Sequence, residues 1–506
     1  MRLLLTTIQN ECIQTKLSMK YLYSVVAEAP CQTEVKEFES TDNAGYIFRE
    51  ILRGEYNIVY FHCNMMNGDK IAEVAEMVKK AVPTAIVAMG GTEVSFETRA
   101  FMENHPEVDY VFRGEPESVL YQFLRSIFTY EFDFENIAGL AYRQDDRIQV
   151  NPMAAPVPFD SLPFPYENME LEREDVAYYE SFRGCPDRGG DSQYYPGKIR
   201  SLPLGRICTE LRYFLVKNVR KVCFIDRWFN YSRDRAYRIW EYLISNDNGI
   251  TTFEFDVNGD LLDEETIRLL GTARKGLFQF HIDVESTNAE VLAATGRKAN
   301  IYQLMYNVSK LQALGTVEIT TVIRAGLPCE SPALFARSFN KIYGLKANRM
   351  EVHVLRLRKG TELRRNAKEY GYAFQSRAPY EVIANDFMPA TELIRIENIG
   401  KLLDMFMNSG DFQESIESIL TDGHLKPYAF LEGLEEYIAN NHLEEKLYRE
   451  ENQYRVLYAY ATELYDEIND TLKLPILQEV LHSDMEKSLP YERVKVFDRK
   501  GWDING

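Results

Sequence analysis

Strand-like and helix-like segments alternate along this chain in two separate series, and that alternation restricts its fold more than any other feature. Between residue 1 and about residue 130, short apolar runs at Arg2 to Thr7, Glu34 to Phe38, Asn57 to His62, Ala85 to Met89 and Asp109 to Phe112 are separated by helical runs such as Lys70 to Lys80 and Pro116 to Phe128. Strands joined through helices pair in parallel, so this series predicts an α/β, doubly wound parallel sheet covering residues 1–130. Prolines at 152, 156, 158, 163 and 165 then interrupt the pattern. Each lacks a backbone N–H donor, which predicts a proline-rich linker over residues 131–172.

The second series starts near Ala177 and runs through Lys221 to Asp226, Thr252 to Val257, Phe278 to Glu285, Val317 to Ile323 and Arg349 to Leu355. Six strand–helix units predict a partial (β/α)6 barrel over residues 173–372, with its active groups at the carboxyl ends of the strands. From residue 373 to 506 the strand signal fades. Helical spacing at Ala390 to Asn408, Asp411 to Leu420 and Glu444 to Leu472 predicts a helical cap. Within it Tyr454, Tyr458, Ala461, Leu464 and Tyr465 form an aromatic stripe that reads as a buried helix face in preference to a substrate box.

Composition removes several classes of function. The 506 residues carry 58 basic and 77 acidic side chains, a net charge of −19, which repels phosphate backbones and argues against nucleic acid as a partner. The run Leu3-Leu4-Leu5 has the length of a buried strand, and no stretch approaches the roughly 18 apolar residues of a membrane span. Seven cysteines, at 12, 31, 63, 185, 208, 223 and 329, are odd in number and scattered, as expected of reduced thiols in a cytoplasmic protein.

In a doubly wound sheet the ligand binds beyond the carboxyl ends of the strands. Those ends carry Thr6-Thr7-Ile8-Gln9, His62-Cys63-Asn64, Gly90-Gly91-Thr92-Glu93 and Arg113-Gly114-Glu115. A Gly-Gly pair lets a flat ligand approach the backbone, although a tight turn is the commoner reason for one. His62 is expected as a half-buried strand residue hydrogen-bonded to backbone, and Cys63 as a small core hydrophobe.

A loop in the second series reads Cys185-Pro186-Asp187-Arg188-Gly189-Gly190-Asp191-Ser192, after the strand-like Val176 to Phe182. Its frame resembles the cobalamin-dependent radical SAM enzymes, whose loop is C-x-x-x-C-x-x-C and holds a [4Fe-4S] cluster that leaves one iron open for S-adenosylmethionine. Other stretches carry the resemblance across nearly the whole chain. Gly90-Gly91-Thr92-Glu93-Val94-Ser95 is similar to the family's GGPEVS, Arg113-Gly114-Glu115-Pro116-Glu117 to its RGEGE, and Val222 to Asn230 to its FVDRTFN. Asp260 to Glu265 matches DLLDEE, Ala325 to Pro328 matches AGLP, and the carboxyl-terminal region resembles an uncharacterised domain that follows the core in one subgroup.

The resemblance implies a cobalamin site built from Thr6, Thr7, Asn67, Gly90, Gly91, Glu93, Ser95, Arg113, Gly114 and Glu115. It implies a remnant S-adenosylmethionine site at Asp226, Asn230 and Gly326, and a remnant cluster ligand in Cys185. No D-x-H-x-x-G motif is present, so the lower face of cobalt is expected to be free of histidine. Gly189 and Ser192 stand where two cluster thiolates belong, and neither suits iron–sulfur ligation. The family's FEIGVQS is here Phe280-His281-Ile282-Asp283-Val284-Glu285-Ser286, and Arg324 stands where relatives carry an apolar residue. A guanidinium there needs its own partner or spoils an apolar pocket.

Among other thiols, Cys329 is best placed to complete a site, Cys223 is expected to face away from an inward Asp226, and Cys208 is expected to be buried in a helix. Cys185 and Cys329 with Asp187 and Asp191 would suit a divalent metal, but a surface turn is the preferred reading of Gly189 to Ser192. The expected cofactor is cobalamin, with S-adenosylmethionine bound weakly or not at all and no [4Fe-4S] cluster. The chain is thus expected to be a non-canonical or accessory member in cobalamin-linked methyl-transfer chemistry. The alternatives are an active cobalamin-dependent radical SAM methyltransferase whose unorthodox cluster is completed by Cys329 or a protein partner, and a cofactor-free interaction scaffold.

Overall fold

The structure is a computed structural model that describes residues 1–9, 13–27, 29–145, 147–167, 171, 173, 175–186 and 199–504. The first sheet contains β1 (Arg2–Gln9), β2 (Gln32–Glu39), β3 (Ile58–His62), β4 (Ile86–Gly90), β5 (Tyr110–Phe112), β6 (Leu140–Gln144) and β7 (Arg147–Val150), in spatial order β2-β1-β3-β4-β5-β6-β7. The five strands β1 to β5 run parallel. Alternate residues along each strand feed two separate cores, as a period of two requires. Leu4, Val59, Phe61, Val87 and Met89 pack with Ile47 and Ile51 of helix Ala44–Leu52 and with Ile71, Val74 and Val78 of helix Gly68–Ala81. Leu3, Leu5, Ile58, Tyr60, Ala88 and Phe112 pack on the other side with Met19, Leu22 and Val26 of helix Ile13–Val26 and with Val119, Leu120 and Phe123 of helix Pro116–Phe128.

β6 and β7 lie where a linker was expected. They form an antiparallel hairpin that extends the sheet beyond β5, with Tyr142 opposite Tyr110 and Gln149 opposite Tyr142. The reason is burial: Leu140 and Ala141 are fully covered, and Arg143 donates to the carbonyls of Met102, His105 and Val108. The proline-bearing segment follows this hairpin and is the true connector.

The second sheet contains β8 (Val176–Tyr179), β11 (Lys221–Phe224), β12 (Thr252–Asp256), β13 (Phe278–Glu285), β14 (Val317–Ala325) and β15 (Arg349–Val354) in the order β15-β14-β13-β12-β11-β8. All neighbours are parallel, and β8 and β15 are its edges, so the barrel is open. A short antiparallel pair, β9 (Phe182–Arg183) and β10 (Arg200–Ser201), brackets the cysteine loop. Phe253, Phe255, Phe278 and Phe280 point outward into a core with Trp240 of helix Arg233–Ser245. The opposite face is polar: Glu254, Asp256, His281, Asp283, Thr320, Arg324 and Glu351 line it.

A two-stranded piece, β16 (Ala373–Phe374) with β17 (Val382–Ala384), leads into the helical domain. There helix Ala390–Leu402 packs on β15, helix Pro427–Asn440 packs on it, and helix Glu450–Glu467 follows. Tyr454, Ala461 and Tyr465 of the aromatic stripe are buried, with Tyr458 and Leu464 at the margin of that core.

Two charged clasps join the first sheet to the barrel. In one, Arg183 bridges Glu117 at 2.7 Å, Glu180 at 3.0 Å and Glu115 at 3.7 Å, with its guanidinium over the rings of Tyr21 and Phe159. Arg200 adds a bidentate pair to Glu115. In the other, Lys359 lies 2.6 Å from Glu93, the Tyr380 hydroxyl donates to Glu93, and Arg364 pairs with Glu97 at 3.0 Å. Gly360 has φ +81, and a Cβ there would stand 2.6 Å from the Phe96 ring, so only glycine lets this turn press against the first sheet.

The Arg183 side chain is only 10% exposed, and removing one partner of a buried ion network leaves the other charges uncompensated. Arg183→Met should lower stability by about 3–5 kcal/mol, read by urea unfolding. Lys80→Met, which removes an exposed pair with Glu76, should leave the midpoint unchanged.

Candidate functional site

The strand ends of the first sheet are held by side chains that close on one another. Asn67, at the start of helix Gly68–Ala81, donates to the Ile8 carbonyl at 3.0 Å and to Thr7 Oγ1 at 3.2 Å, and Thr7 donates to the His62 carbonyl at 2.9 Å. This latch fixes the ends of β1 and β3 side by side. Thr6 points to the other side of the sheet and donates to the Lys36 carbonyl at 2.7 Å.

After β4, Gly91 takes φ +104, and a Cβ there would stand 2.2 Å from the Cys63 carbonyl oxygen. A Cβ at Gly90 would meet the Tyr60 hydroxyl at 2.3 Å. Cys63 and Tyr60 thus fill the space where either side chain would start, so packing requires glycine at both positions, and the two together leave a ledge of side-chain-free backbone at the end of β4. Ser95 braces the ledge: its hydroxyl donates to the Gly91 carbonyl at 2.7 Å and accepts from the Gly114 N–H at 3.1 Å. Arg113 reaches the Asn151 carbonyl at 2.7 Å. Glu93 and Glu115 turn toward the barrel and form the clasps described above.

His62 differs from its expectation. It is buried, with Nδ1 3.3 Å from the Tyr60 hydroxyl in place of a backbone partner, and burial pulls its pKa down to about 4. It is therefore a neutral group at neutral pH. Cys63 is in the core, where burial pushes its thiol well up.

In the barrel, Asp226 accepts hydrogen bonds from the N–H groups of Ser181 at 2.9 Å and Phe182 at 2.8 Å and from the Ser181 hydroxyl at 2.6 Å. It thereby ties the end of β11 to the root of the cysteine loop. Burial pushes its pKa up to about 6, with Arg235 acting in the opposite sense. Asn230 exchanges two hydrogen bonds of 2.8 Å with the backbone of Asn258, joining the ends of β11 and β12. Gly326 has φ +83, and its carbonyl accepts from Tyr372 at 2.9 Å and Asn385 at 3.0 Å. Cys185 is buried at the end of the described part of its loop, and Asp187, Gly189, Asp191 and Ser192 lie outside the described residues.

Arg324 has its own partners. It pairs with Asp283 at 2.6 Å and Glu285 at 3.0 Å, and Arg297 reaches the Asp283 carbonyl at 2.5 Å from beneath the Trp228 ring. Ion pairs thus occupy this part of the barrel mouth. Cys223 does not face outward as expected. It stands opposite Glu254 on β12 and Tyr178 on β8, on the polar face, because the strand ends at Phe224 and alternation does not carry through to Asp226. Burial pushes its thiol up to about 12. Cys208 is half-buried, not buried, in helix Leu204–Lys217.

Lower on the polar face, Glu254 has Lys221 at 2.5 Å and His281 at 3.6 Å. Burial opposes its ionisation, but those hydrogen bonds hold its carboxyl at about 2. Glu330, which sequence reasoning missed, is fully buried behind Cys329; it accepts from Ser286 at 2.9 Å, while its second oxygen has no hydrogen-bond partner. Burial pushes its pKa up to about 8. Nothing in the local pattern announces Glu330, since its environment comes from Ser286, just past the end of β13. Arg183 was also missed, although its place two residues before Cys185 gave a signal.

Residues 2–124 match the B12 binding domain family, residues 183–341 the Radical SAM superfamily, and residues 368–500 a protein family of unknown function (DUF4080). Three segments in that order thus carry the likeness to the B12 binding domain, the radical SAM superfamily and DUF4080. It is 25% identical to the cobalamin-dependent radical SAM methyltransferase TokK of Streptomyces tokunonensis over 513 residues, 89% of this chain and 70% of that protein. Its fold resembles the radical S-adenosylmethionine methyltransferase TsrM of Kitasatospora setae, with TM-score 0.60, 16% identity and coverage of 75% of this chain and 80% of that one. It also resembles the cobalamin-dependent S-adenosylmethionine radical enzyme OxsB, with TM-score 0.61, 14% identity and coverage of 96% and 83%.

The residues present fit the two cofactors differently. The bare ledge at Gly90 and Gly91 suits a corrin plane. Between Cys185 and Ser192 the sequence offers one thiol, at Cys185, where a site-differentiated [4Fe-4S] cluster takes three.

Glu330 gives the radical SAM domain a pH dependence. An acid whose folded pKa of about 8 exceeds the ordinary 4.5 holds its proton more tightly when folded, so stability falls as pH rises from 4.5 to 8 and levels off above. Glu330→Gln should flatten that part of the profile, measured as thermal midpoint against pH. An unchanged profile would place the carboxylate in contact with a compensating charge.

Proposed function

We propose that this chain is a cobalamin-binding protein on a radical SAM scaffold that assembles no three-cysteine [4Fe-4S] site, acting as a non-canonical or accessory member in cobalamin-linked methyl transfer. One observation carries the reading: the chain combines a strand-end ledge of side-chain-free backbone at Gly90 and Gly91 with a loop sequence that keeps one of three cluster thiols. Within the ledge Gly90, Gly91 and Gly114 supply bare backbone, Ser95 and Arg113 brace it, and Thr7 with Asn67 hold the neighbouring strand ends. Cobalamin, when bound, supplies a cobalt centre able to carry a methyl group. The chain's own groups set the platform beneath it, and a neutral His62 adds no charge there.

Substitute thiols are poorly suited to iron. A ligating cysteine must be a thiolate, and burial opposes that state at Cys223 and Cys208. S-adenosylmethionine, without an open iron to hold its amino and carboxylate groups, loses its anchor. Asp226, Asn230 and Gly326 then serve as the framework of that remnant site, joining strand ends to the loop root. A protein partner is part of the accessory reading. The match of residues 183–341 to the radical SAM superfamily favours a second reading, an active methyltransferase whose cluster takes ligands from Cys329 or a partner chain.

Iron separates the two. Titration with hydroxocobalamin should give near-stoichiometric binding with a spectral change, and Gly91→Trp should abolish it. The protein purified without oxygen and supplied with iron and sulfide should hold no cluster, while Gly189→Cys with Ser192→Cys should gain iron, sulfide and a broad charge-transfer band. About four irons per parent chain, lost in Cys185→Ala, would transfer the assignment to the active enzyme.

A further inference from the structure

The DUF4080 domain holds a cavity of about 760 Å³ that belongs to neither cofactor site. It lies between the segment Glu445 to Asn452, helix Glu450–Glu467 and helix Tyr491–Lys500, on the run of packed helices that leads from β15 through Ala390–Leu402 and Pro427–Asn440. Its volume falls within the range of small-molecule sites, roughly 300–1,000 Å³.

The buried guanidinium of Arg455 is the decisive feature. Arg455 is 5% exposed, yet its hydrogen bonds go to neutral acceptors: Nε donates to the Gly501 carbonyl at 2.9 Å and Nη1 to Asn452 Oδ1 at 2.9 Å. Its third contact is the face of Phe497, 4.3 Å from the ring centroid. Among the described residues no carboxylate lies within ion-pair distance of it. Two carboxylates, Glu451 and Asp503, act on it from farther away, and Glu451 is itself held by Arg493 at 2.6 Å. Buried charges are ordinarily paired, and burial here pulls the guanidinium pKa below its usual value.

The rest of the lining is predominantly basic, with Lys446, Arg449, Arg493 and Lys500 against the carboxylates of Glu445 and Glu451. Arg449 and Lys500 reach the cavity with no ion pair among the described residues, in a chain whose net charge is −19. Arg493 is neutralised by Glu450 and Glu451, both at 2.6 Å. Val496 and Phe497 give one wall an apolar surface.

We propose that this cavity binds an organic anion, a phosphate ester or a carboxylate with an apolar body, whose charged group sits against Arg455, Arg449 and Lys500 and whose body lies along Val496 and Phe497. Such a ligand supplies the direct ion-pair partner that Arg455 does not have among the described residues, beyond the more distant charges of Glu451 and Asp503. The domain then carries a ligand site of its own, independent of whether cobalamin or a cluster is bound elsewhere.

Trp502 gives a local readout, because its ring lies 4.9 Å from Phe497 and 4.9 Å from Tyr458. Phenyl phosphate, benzoate and neutral benzyl alcohol would each be titrated into the full chain at fixed ionic strength, followed by calorimetry and tryptophan fluorescence. Saturable binding of phenyl phosphate or benzoate, with none of benzyl alcohol, is expected, and the tighter of the two anions identifies the head group. The double substitution Arg449→Glu with Lys500→Glu, on exposed side chains, should weaken binding at least about tenfold without shifting the unfolding midpoint. Trp502→Phe should remove the fluorescence change and keep the heat. Equal affinity in the double variant, or no saturable binding of either anion at millimolar concentration, would overturn the proposal.

Discussion

Acidic groups on the loops after β4 and β5 meet basic groups on the barrel, and the relation between the two sheets depends on that meeting. Glu93 and Glu97 face Lys359 and Arg364, while Glu115 and Glu117 face Arg200 and Arg183. These loops also form the ledge and its surroundings. The same short segments therefore carry the glycines of the strand ends and anchor the sheet to the barrel. Because Arg183 stands two residues before Cys185, its position also sets the root of the cysteine loop, which Asp226 grips from the other side. Charge pairing with little solvent around it is strong in attraction and costly to break, which suits a joint that must hold one geometry.

The barrel interior shows where the chain departs from a purely apolar pocket. Arg324, Asp283, Glu285 and Arg297 form a paired network at the mouth, and Lys221, Glu254 and His281 form another below it. A guanidinium in such a place is tolerable because two carboxylates accompany it. The exchanges of the stretch Phe280 to Ser286 and of Arg324 are one arrangement, since Asp283 and Glu285 supply the partners that Arg324 requires. Glu330 differs, because its carboxyl accepts from the Ser286 hydroxyl and has no ion pair among the described residues, and burial raises its pKa.

The two sheets, their parallel order and the helical third domain were legible in the sequence because each rests on periodicity, which local residues carry by themselves. The hairpin β6–β7 was not legible. Leu140-Ala141-Tyr142 is short, and what makes it a strand is the free edge of β5 at Tyr110 to Phe112, which no local pattern reveals. Cys223 was misplaced for a related reason, since counting by twos to Asp226 runs past the end of the strand at Phe224. His62 was expected as a half-buried residue hydrogen-bonded to backbone, but it is buried and its partner is the Tyr60 hydroxyl.

The sequence by itself determined the element types, the bare glycines at the strand ends and the donor atoms available in the cysteine loop, because these depend on residue identity and on spacing along the chain. Tertiary structure alone decided which charges meet. Glu93 lies 287 residues from the hydroxyl it accepts from, and Ser286 lies 44 residues from the glutamate it reaches. Arg455 is covered by Phe497 and donates to the Gly501 carbonyl, contacts across more than 40 residues of chain. Coulombic and desolvation effects act through space over a few ångströms, so they become visible only when the fold brings distant segments together.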